Sequence, residues 1–444
     1  MRSALAAAAA AALVLAAAGC GGKTGTAARS GGASVAPASS AFFLRARTDS
    51  QDRRVLARLL PRAAAMLERL QRALGPETDV VALDDRTLVA LTQPPDRARL
   101  DSLLARQHPQ LVAEQVGDWR VIARSREAID RLKLARNGGS LADADGYRRA
   151  TRGLPAAAPA TFYADGAAVV RGLRGRGQAV EPVPGLGRVG WVAGALTRRA
   201  GGLGVELRLE GDRIEAAPYA AELPAQVPAP VTLLVDAKGL DRTIEELKGS
   251  PALATSRNPI VQALRTGVLD DAVRLFANEA AFYVRPLPGG PEATLIVQVD
   301  DEAAADAIVD RLVTLAGAVT RTAPAHETIA GVEATRLMLR KTTVYYGVFD
   351  GKLVATTAPS GIRGLRRAGP RLVETPPWRA ATVAAGLPDR IAGLAYADVG
   401  RALPLVGRLL GVTSELRMPP LGRGLLYATV DGSVLTVRGS VALR

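Results

Sequence analysis

The segments GDWRVIARSREAIDRL (residues 117–132) and DGKLVATTAPSGIRGL (350–365) align without a gap at an offset of 233 residues. Val121, Ala123, Ile129 and Leu132 meet Val354, Thr356, Ile362 and Leu365. At the same offset Gly153-Leu154-Pro155, with Tyr163-Ala164-Asp165 ten residues on, meets Gly386-Leu387-Pro388 and Tyr396-Ala397-Asp398. Agreement at one offset over some 50 residues points to an internal duplication. The copies run over 40–226 and 229–444, joined at the Pro-rich stretch 224–230.

Each copy shows the same order of patterns. Copy one opens with a strand, 42–47. A helical pattern follows, with Val55, Leu56, Leu59, Leu60, Met66, Leu67, Leu70 and Leu74 recurring at three to four, broken at Pro61 and stopped by Gly75. Then come a hairpin, 80–83 and 87–91 about Asp84-Asp85, and a helix near 96–106. Copy two repeats this with a strand at 231–236, helices through Leu247 and over 260–276, hairpin strands 280–285 and 293–299 around a Pro-Gly-Gly turn, and a helix over 301–315. The segments 204–209 and 426–430 each lead into a Gly-containing turn, Glu210-Gly211-Asp212 and Asp431-Gly432-Ser433. Helices alternating with hairpins predict α+β: two tandem homologous repeats of antiparallel sheet with helices packed on one face. The helix starts near Asp96 and Asp301 are about 205 apart, whereas 117–165 matches at 233, so copy two carries extra residues between Glu327 and Val348.

The amino terminus reads as an export signal. Met1-Arg2, an Ala/Leu/Val run over 5–18 and Gly19-Cys20 give a positive n-region, an apolar stretch shorter than a membrane span and small residues before a cleavage point. Leu15-Ala16-Ala17-Ala18-Gly19-Cys20 resembles the bacterial lipoprotein signal, with Ala17 where Leu is usual. That resemblance implies that the Cys20 thiol receives a diacylglyceryl group and becomes the mature amino terminus. The chain would then be held on the outer face of the cytoplasmic membrane. Residues 1–19 are read as signal peptide and 20–39, rich in Gly, Ala and Ser, as a flexible tether of about 25 Å.

The composition excludes several chemistries. A single Cys closes no intramolecular disulfide, and one Cys with two His builds no His/Cys zinc site. The net charge of +14 falls to +13 when Arg2 leaves with the signal. Arg is scattered among Asp and Glu with only 4% aromatics, a pattern without the basic stripe and stacking groups of a nucleic-acid binder. The denser clusters, Arg171/Arg174/Arg176, Arg198/Arg199 and Arg363/Arg366/Arg367/Arg371, form solvated faces or meet anionic lipid headgroups or acidic wall polymers.

The lipoprotein-type signal, the tether, AFFLRARTD (41–49), the hairpin VVALDDRTLVALTQP (80–94) with its helix, and GSLADADGYRRATRGLP (139–155) leading to FYADG (162–166) together resemble the actinobacterial secreted family catalogued as domain of unknown function 3352. The resemblance covers most of 40–410. It implies a secreted or lipid-anchored envelope protein and assigns no catalytic residue.

Motifs of chemistry resolve into structural readings. Gly185-Leu186-Gly187-Arg188-Val189-Gly190 matches a dinucleotide fingerprint with Glu210 twenty residues on, but Pro182 and Pro184 precede it and 191–196 reads as a strand where a helix N-terminus is required. Lys23-Thr24-Gly25 lies in the tether. His108 and His326 read as exposed loop residues without a neighbouring nucleophile. Asp300, Asp301 and Glu302 complement a helix N-terminus, with Asp306 and Asp310 on its outer face. Tyr163/Asp165 and Tyr396/Asp398 read as a strand-end aromatic with an Asp capping the next helix (167–173; 399–410), a duplicated ligand site being the sharper alternative. The expected function is a non-catalytic binding or envelope-assembly module without cofactor or metal. The alternatives are a carrier of an apolar envelope ligand and, behind it, a hydrolase needing two carboxylates that converge in a cleft.

Overall fold

In a computed structural model of the chain, Phe42–Arg47 forms β1, with Phe43 and Leu44 buried on opposite faces of the sheet. The described residues are 31–47, 73–84, 87–106, 111–174, 186–199, 201–248, 268–339, 342–402 and 421–443. After β1 come β2 (Glu77–Ala82), β3 (Leu88–Thr92), α1 (Arg97–Leu104), β4 (Val112–Val116), β5 (Trp119–Ala123), α2 (Arg126–Arg136), α3 (Asp145–Thr151), β6 (Ala160–Asp165), α4 (Gly166–Arg174), β7 (Val189–Arg199) and β8 (Gly202–Gly211). Their pairing gives the lateral order β4-β5-β3-β2-β1-β6-β7-β8.

The second stretch holds β9 (Leu233–Lys238), α5 (Leu240–Lys248), α6 (Val268–Leu275), β10 (Glu279–Leu287), β11 (Gly290–Gln298), α7 (Glu302–Thr320), β12 (Ala325–Ile329), β13 (Val332–Leu339), β14 (Thr342–Phe349) and β15 (Lys352–Thr356). It closes with α8 (Pro359–Arg366), α9 (Pro376–Ala385), β16 (Gly393–Asp398), β17 (Leu421–Asp431) and β18 (Val434–Leu443). The order is β12-β13-β14-β15-β11-β10-β9-β16-β17-β18. β18 then pairs with β8, so the described strands form one 18-stranded sheet, antiparallel throughout. The protein is α+β.

Helices cover both faces of this sheet, which corrects the one-face expectation. On one face Ile129 and Leu132 of α2 and Ala150 of α3 pack with Phe43, Val81, Leu91 and Tyr163, and Trp378 and Ala381 of α9 pack with Tyr283, Ile296 and Tyr396. On the other, Leu100 and Leu104 of α1 meet Ile122, and Ala305 and Val309 of α7 meet Val297 and Leu353. The physical reason lies in strands such as β10, where Ala280, Ala281, Tyr283 and Val284 are all buried, so neither side of the strand is left for solvent.

Residues 31–39, expected to belong to the tether, are folded. Gly32–Ser34 makes a 3₁₀ turn, Ala33, Val35 and Ala36 are buried in the core of the first stretch, and Leu141 N–H donates to Ala36 O at 2.7 Å. Their low bulk reads as linker in sequence, yet small side chains are what fit against an already crowded sheet face. A second correction concerns Glu210-Gly211-Asp212. The β7–β8 turn lies between Arg199 and Gly202, with Gly201 at φ 75°, and residues 210–212 instead end β8, Asp212 accepting from Arg188 N–H at 2.7 Å. The helical pattern over 55–72, the signal, Cys20, residues 20–30, His108, Arg176, Gly185 and the helices expected over 260–267 and 403–410 lie outside the described residues.

Candidate functional site

Where β8 meets β18 the two faces of the sheet differ in chemistry. Antiparallel partners share a face, so each lateral row can be followed strand by strand. One row runs Leu44, Phe162, Gly194, Leu207, Val437, Ala428, Gly393. The next runs Ala160, Leu196, Val205, Gly439, Leu426, Ala395, Val235, Phe282. Neither holds a polar side chain. Leu196, Val205, Leu207, Leu426 and Val437 are half-buried and Val235 is 44% exposed. Gly194 is required here, because a Cβ would stand 2.6 Å from the Phe162 ring.

The opposite face carries charge at the same place. Glu206 sits directly across from Arg438, its Oε1 3.2 Å from the Arg438 guanidinium and 2.9 Å from Arg208 Nε. Arg149 reaches Glu210 at 3.4 Å. The central strands are thus apolar on one side and an Arg/Glu ladder on the other.

A pair of carboxyls that sequence reasoning missed lies on β9 and β10. Asp236 and Glu279 are 1% and 2% exposed. Tyr219 donates its hydroxyl proton to Asp236 Oδ1, and Glu279 accepts from Leu223 N–H at 2.8 Å and Glu222 N–H at 2.9 Å. Burial pushes Asp236 up to about 8, the Tyr219 hydroxyl pulling it down and Glu279 pushing it further up, which favours the protonated acid at neutral pH. The signal in sequence is a single carboxylate inside an otherwise apolar strand, Leu233-Leu234-Val235-Asp236. Glu279, but not Asp236, lines a cleft of about 530 Å³ whose walls also include Tyr219, Glu222, Lys238, Arg242 and Arg390. Glu279 accepts from the backbone amides of Glu222 and Leu223 and Asp236 from the Tyr219 hydroxyl, so the pair fixes the turn, while Asp236 Oδ2 is buried without a hydrogen-bond partner.

The first stretch has its own buried acid. Asp79 is 0% exposed on β2, and Arg45 Nε stands 4.0 Å from it and 3.4 Å from Glu77. Burial, then Glu77, push Asp79 well above the usual carboxylate range, while Arg45 and the Gly32 amide pull it down.

No family model and no curated protein matches the chain. Among solved structures it is similar to TP0453: crystal form III at 11% identity, covering 50% of this chain and 95% of that chain with a TM-score of 0.28, and crystal form IV at 14% identity, covering 51% and 94%, also at 0.28. A likeness of that degree carries no argument about fold or function.

The other residues singled out in sequence have structural neighbours. Tyr163 is buried edge-on to Tyr147, ring centroids 5.3 Å apart, and Asp165 accepts from Ala168 N–H at 2.6 Å at the start of α4. Tyr396 packs on Trp378 at 5.2 Å, and Asp398 lies 3.8 Å from Arg401 and 4.0 Å from Arg423. Asp301 accepts from Ala304 N–H at 3.0 Å as the cap of α7, and Asp310 accepts from the Tyr346 hydroxyl at 2.9 Å. His326 is exposed, but on strand β12, with Nδ1 3.1 Å from Thr335 Oγ1. Gly187 to Gly190 lead into β7 and not into a helix. Among the described residues no three His, Cys, Asp or Glu are grouped as a metal site, and no helix is long and apolar enough to cross a membrane.

Proposed function

We propose that this chain is a lipid-anchored, extracytoplasmic envelope protein built from two tandem homologous repeats, akin to the actinobacterial family it resembles. It works by binding, and its ligand is apolar, the acyl part of a membrane lipid. The observation that carries the ligand class is the pair of all-apolar rows crossing the central strands from both stretches, half-buried and with Val235 open to solvent. A sheet face destined for water would alternate in polarity with its opposite face, and only one face here carries charge.

The duplication is supported by strand order. Reading inward from the hairpin edge, β4-β5-β3-β2-β1-β6-β7-β8 runs parallel to β14-β15-β11-β10-β9-β16-β17-β18. It is also supported by details with no reason to coincide. Asp96 and Asp301 both cap the helix that follows the first hairpin, β2–β3 in one stretch and β10–β11 in the other. The 3₁₀ turns Gly32–Ser34 and Leu223–Ala225 both precede a residue whose carbonyl accepts from a Leu amide, Ala36 from Leu141 and Val227 from Leu372. On this reading the repeats begin earlier than 40 and 229, because each includes its docked turn. The extra residues of the second repeat are the hairpin β12–β13 and the added length of α7, 19 residues against 8 in α1, so part of the insertion precedes the expected window.

The ligand reading is tested on protein purified from envelope membranes, with bound lipid identified by mass spectrometry and a fluorescent fatty acid titrated into delipidated protein. Val235→Glu is expected to weaken saturable binding about tenfold or more, since it introduces a charge onto apolar surface. Absence of co-purifying lipid together with absence of saturable probe binding overturns the reading. The anchor is tested separately: Cys20→Ala should release the protein from the membrane fraction or leave it unprocessed.

A further inference from the structure

The two repeats end differently at their outer edges, and this inference rests on the repeat reading. β4 corresponds to the second part of β14: Val116 faces Trp119 across one hairpin as Phe349 faces Lys352 across the other, and Val112 faces Ala123 as Tyr345 faces Thr356. Outside β14 lies β13, Arg336 opposite Tyr345 and Thr335 opposite Tyr346. The approach continues along β14, since a Cβ on Gly347 would stand 3.1 Å from Glu333 O. Outside β4, among the described residues, no strand is paired.

The two-residue turn Gly117-Asp118 makes Val116 and Trp119 a hydrogen-bonded pair, so Glu114 and Val112 bond inward to β5 by alternation. The N–H and C=O of Ala113 and Gln115 then point outward. Natural edges are usually blunted by unpaired charge or Pro. The one charge on β4, Glu114, is instead neutralised by Lys133 and by Arg126 Nε at 3.3 Å, and its neighbours Val112 and Val116 are half-buried and apolar. Nothing on this strand repels an incoming backbone.

We propose that the outer edge of β4 is a strand-addition site that takes an extended peptide segment of a partner protein, antiparallel, with apolar side chains at alternate positions. The occupant's chemistry is read from the segment seated on the corresponding edge, Val332-Glu333-Ala334-Thr335-Arg336-Leu337-Met338-Leu339. Ala113 and Gln115 supply the main-chain hydrogen bonds. Val112 and Val116 on one face, and Leu111 with Ala113 on the other, supply the side-chain contacts.

The test uses the full mature chain and a synthetic peptide of residues 332–339 carrying a fluorophore. Binding should saturate and slow amide exchange at Ala113 and Gln115 by about tenfold or more. Ala113→Pro, which removes an outward amide while leaving the inward ladder bonds, should abolish binding with the circular dichroism spectrum unchanged. Should that variant fail to fold, a peptide with Pro in place of Thr335 replaces it and should not bind. Amides of 113 and 115 already protected in the free chain would overturn the proposal while leaving the repeat reading intact. So would undiminished binding to Ala113→Pro, which would locate the peptide away from β4, or protection that grows with protein concentration alone, which would make the occupant a second copy of the chain.

Discussion

The straps that lead into β1 and β9 dock in the same way but over different polar neighbours. Before β1, the turn at Gly32–Ser34 lies over Arg45, Glu77 and Asp79; before β9, the turn at Leu223–Ala225 lies over Asp236 and Glu279. Arg45 and Asp236 hold matching places, each two residues before the strand end and opposite the second strand at Asp79 and Ala281. What the two sites share is a buried carboxyl aimed at the amides of a 3₁₀ turn. In both, burial pushes an acid up; beside it stands a guanidinium in the first, and a second carboxyl with a tyrosine hydroxyl in the second. The turn therefore depends on having an acceptor beneath it, and the groups beside that acceptor are free to vary.

The largest expected effect is on the strap that lies over Asp236. Asp236 is raised to about 8 when folded and is near 3.9 unfolded, so the folded state holds a proton that the unfolded chain has lost between those values. The stability it contributes is present in full below about pH 4, is lost progressively as pH rises, and is gone above about pH 8, with a limiting slope on the order of 1.4 kcal/mol per pH unit. Denaturant melts at pH 5, 6.5 and 8 should show the loss, and Asp236→Asn should reduce it, leaving the part that comes from the raised Asp79. An unchanged slope in the variant would mean that the two straps do not differ in this way.

Next in size is the strap that lies over Arg45. Arg45→Ala leaves Glu77 and Asp79 without their cation and should cost about 3 kcal/mol at pH 7, the scale for removing one partner of a buried pair. Burial alone would lower the Arg45 guanidinium, yet Asp79 and then Glu77 hold it above its ordinary value. The variant should be less damaged at low pH, where both carboxyls are protonated. Equal damage at pH 4 and pH 7 would remove the electrostatic account of this strap.

The smallest effect probes the apolar part of the comparison. Val227 and Ala36 are both 0% exposed at matching points. Val227→Ala, which makes the second strap like the first, should cost about 1.5 kcal/mol from two lost methyl groups. Ala36→Val should also destabilise, by overpacking a site sized for Ala. If Ala36→Val were stabilising, the two pockets would not be alternative solutions of equal tightness.

Local features of this fold were readable because each rests on a short stretch. The hairpin about Asp84, the caps Asp96, Asp165 and Asp301, and the burial of Tyr163 and Tyr396 all follow from neighbours within a few residues. The joining of β8 to β18 was not readable, because Glu206 and Arg438 meet across more than two hundred residues with no local signal. The strap over 31–38 was hidden by composition: Ala33, Val35 and Ala36 belong to a Gly/Ala/Ser stretch like any linker, and only the shape of the sheet above them makes them core. The covering of both faces had a signal that went unweighed, the unbroken run Ala280-Ala281-Phe282-Tyr283-Val284, which alternation would have interrupted. The pair Asp236 and Glu279 was missed for the same reason in reverse, one acid apiece in strands 40-odd residues apart.

The joint between β8 and β18 also sets an order of events in time. β8 is complete once residue 211 has been made, and its partner is residues 434–443. In between, the edge of β8 that β18 will cover stands bare, a ten-residue strand whose apolar residues Leu203, Val205, Leu207 and Leu209 are matched to those of β18. At a synthesis rate of about 5–20 residues per second that interval lasts roughly 10–45 seconds. Loss of the final strand by clipping would make the interval permanent, and chains so shortened should associate edge to edge through β8 where intact chains do not.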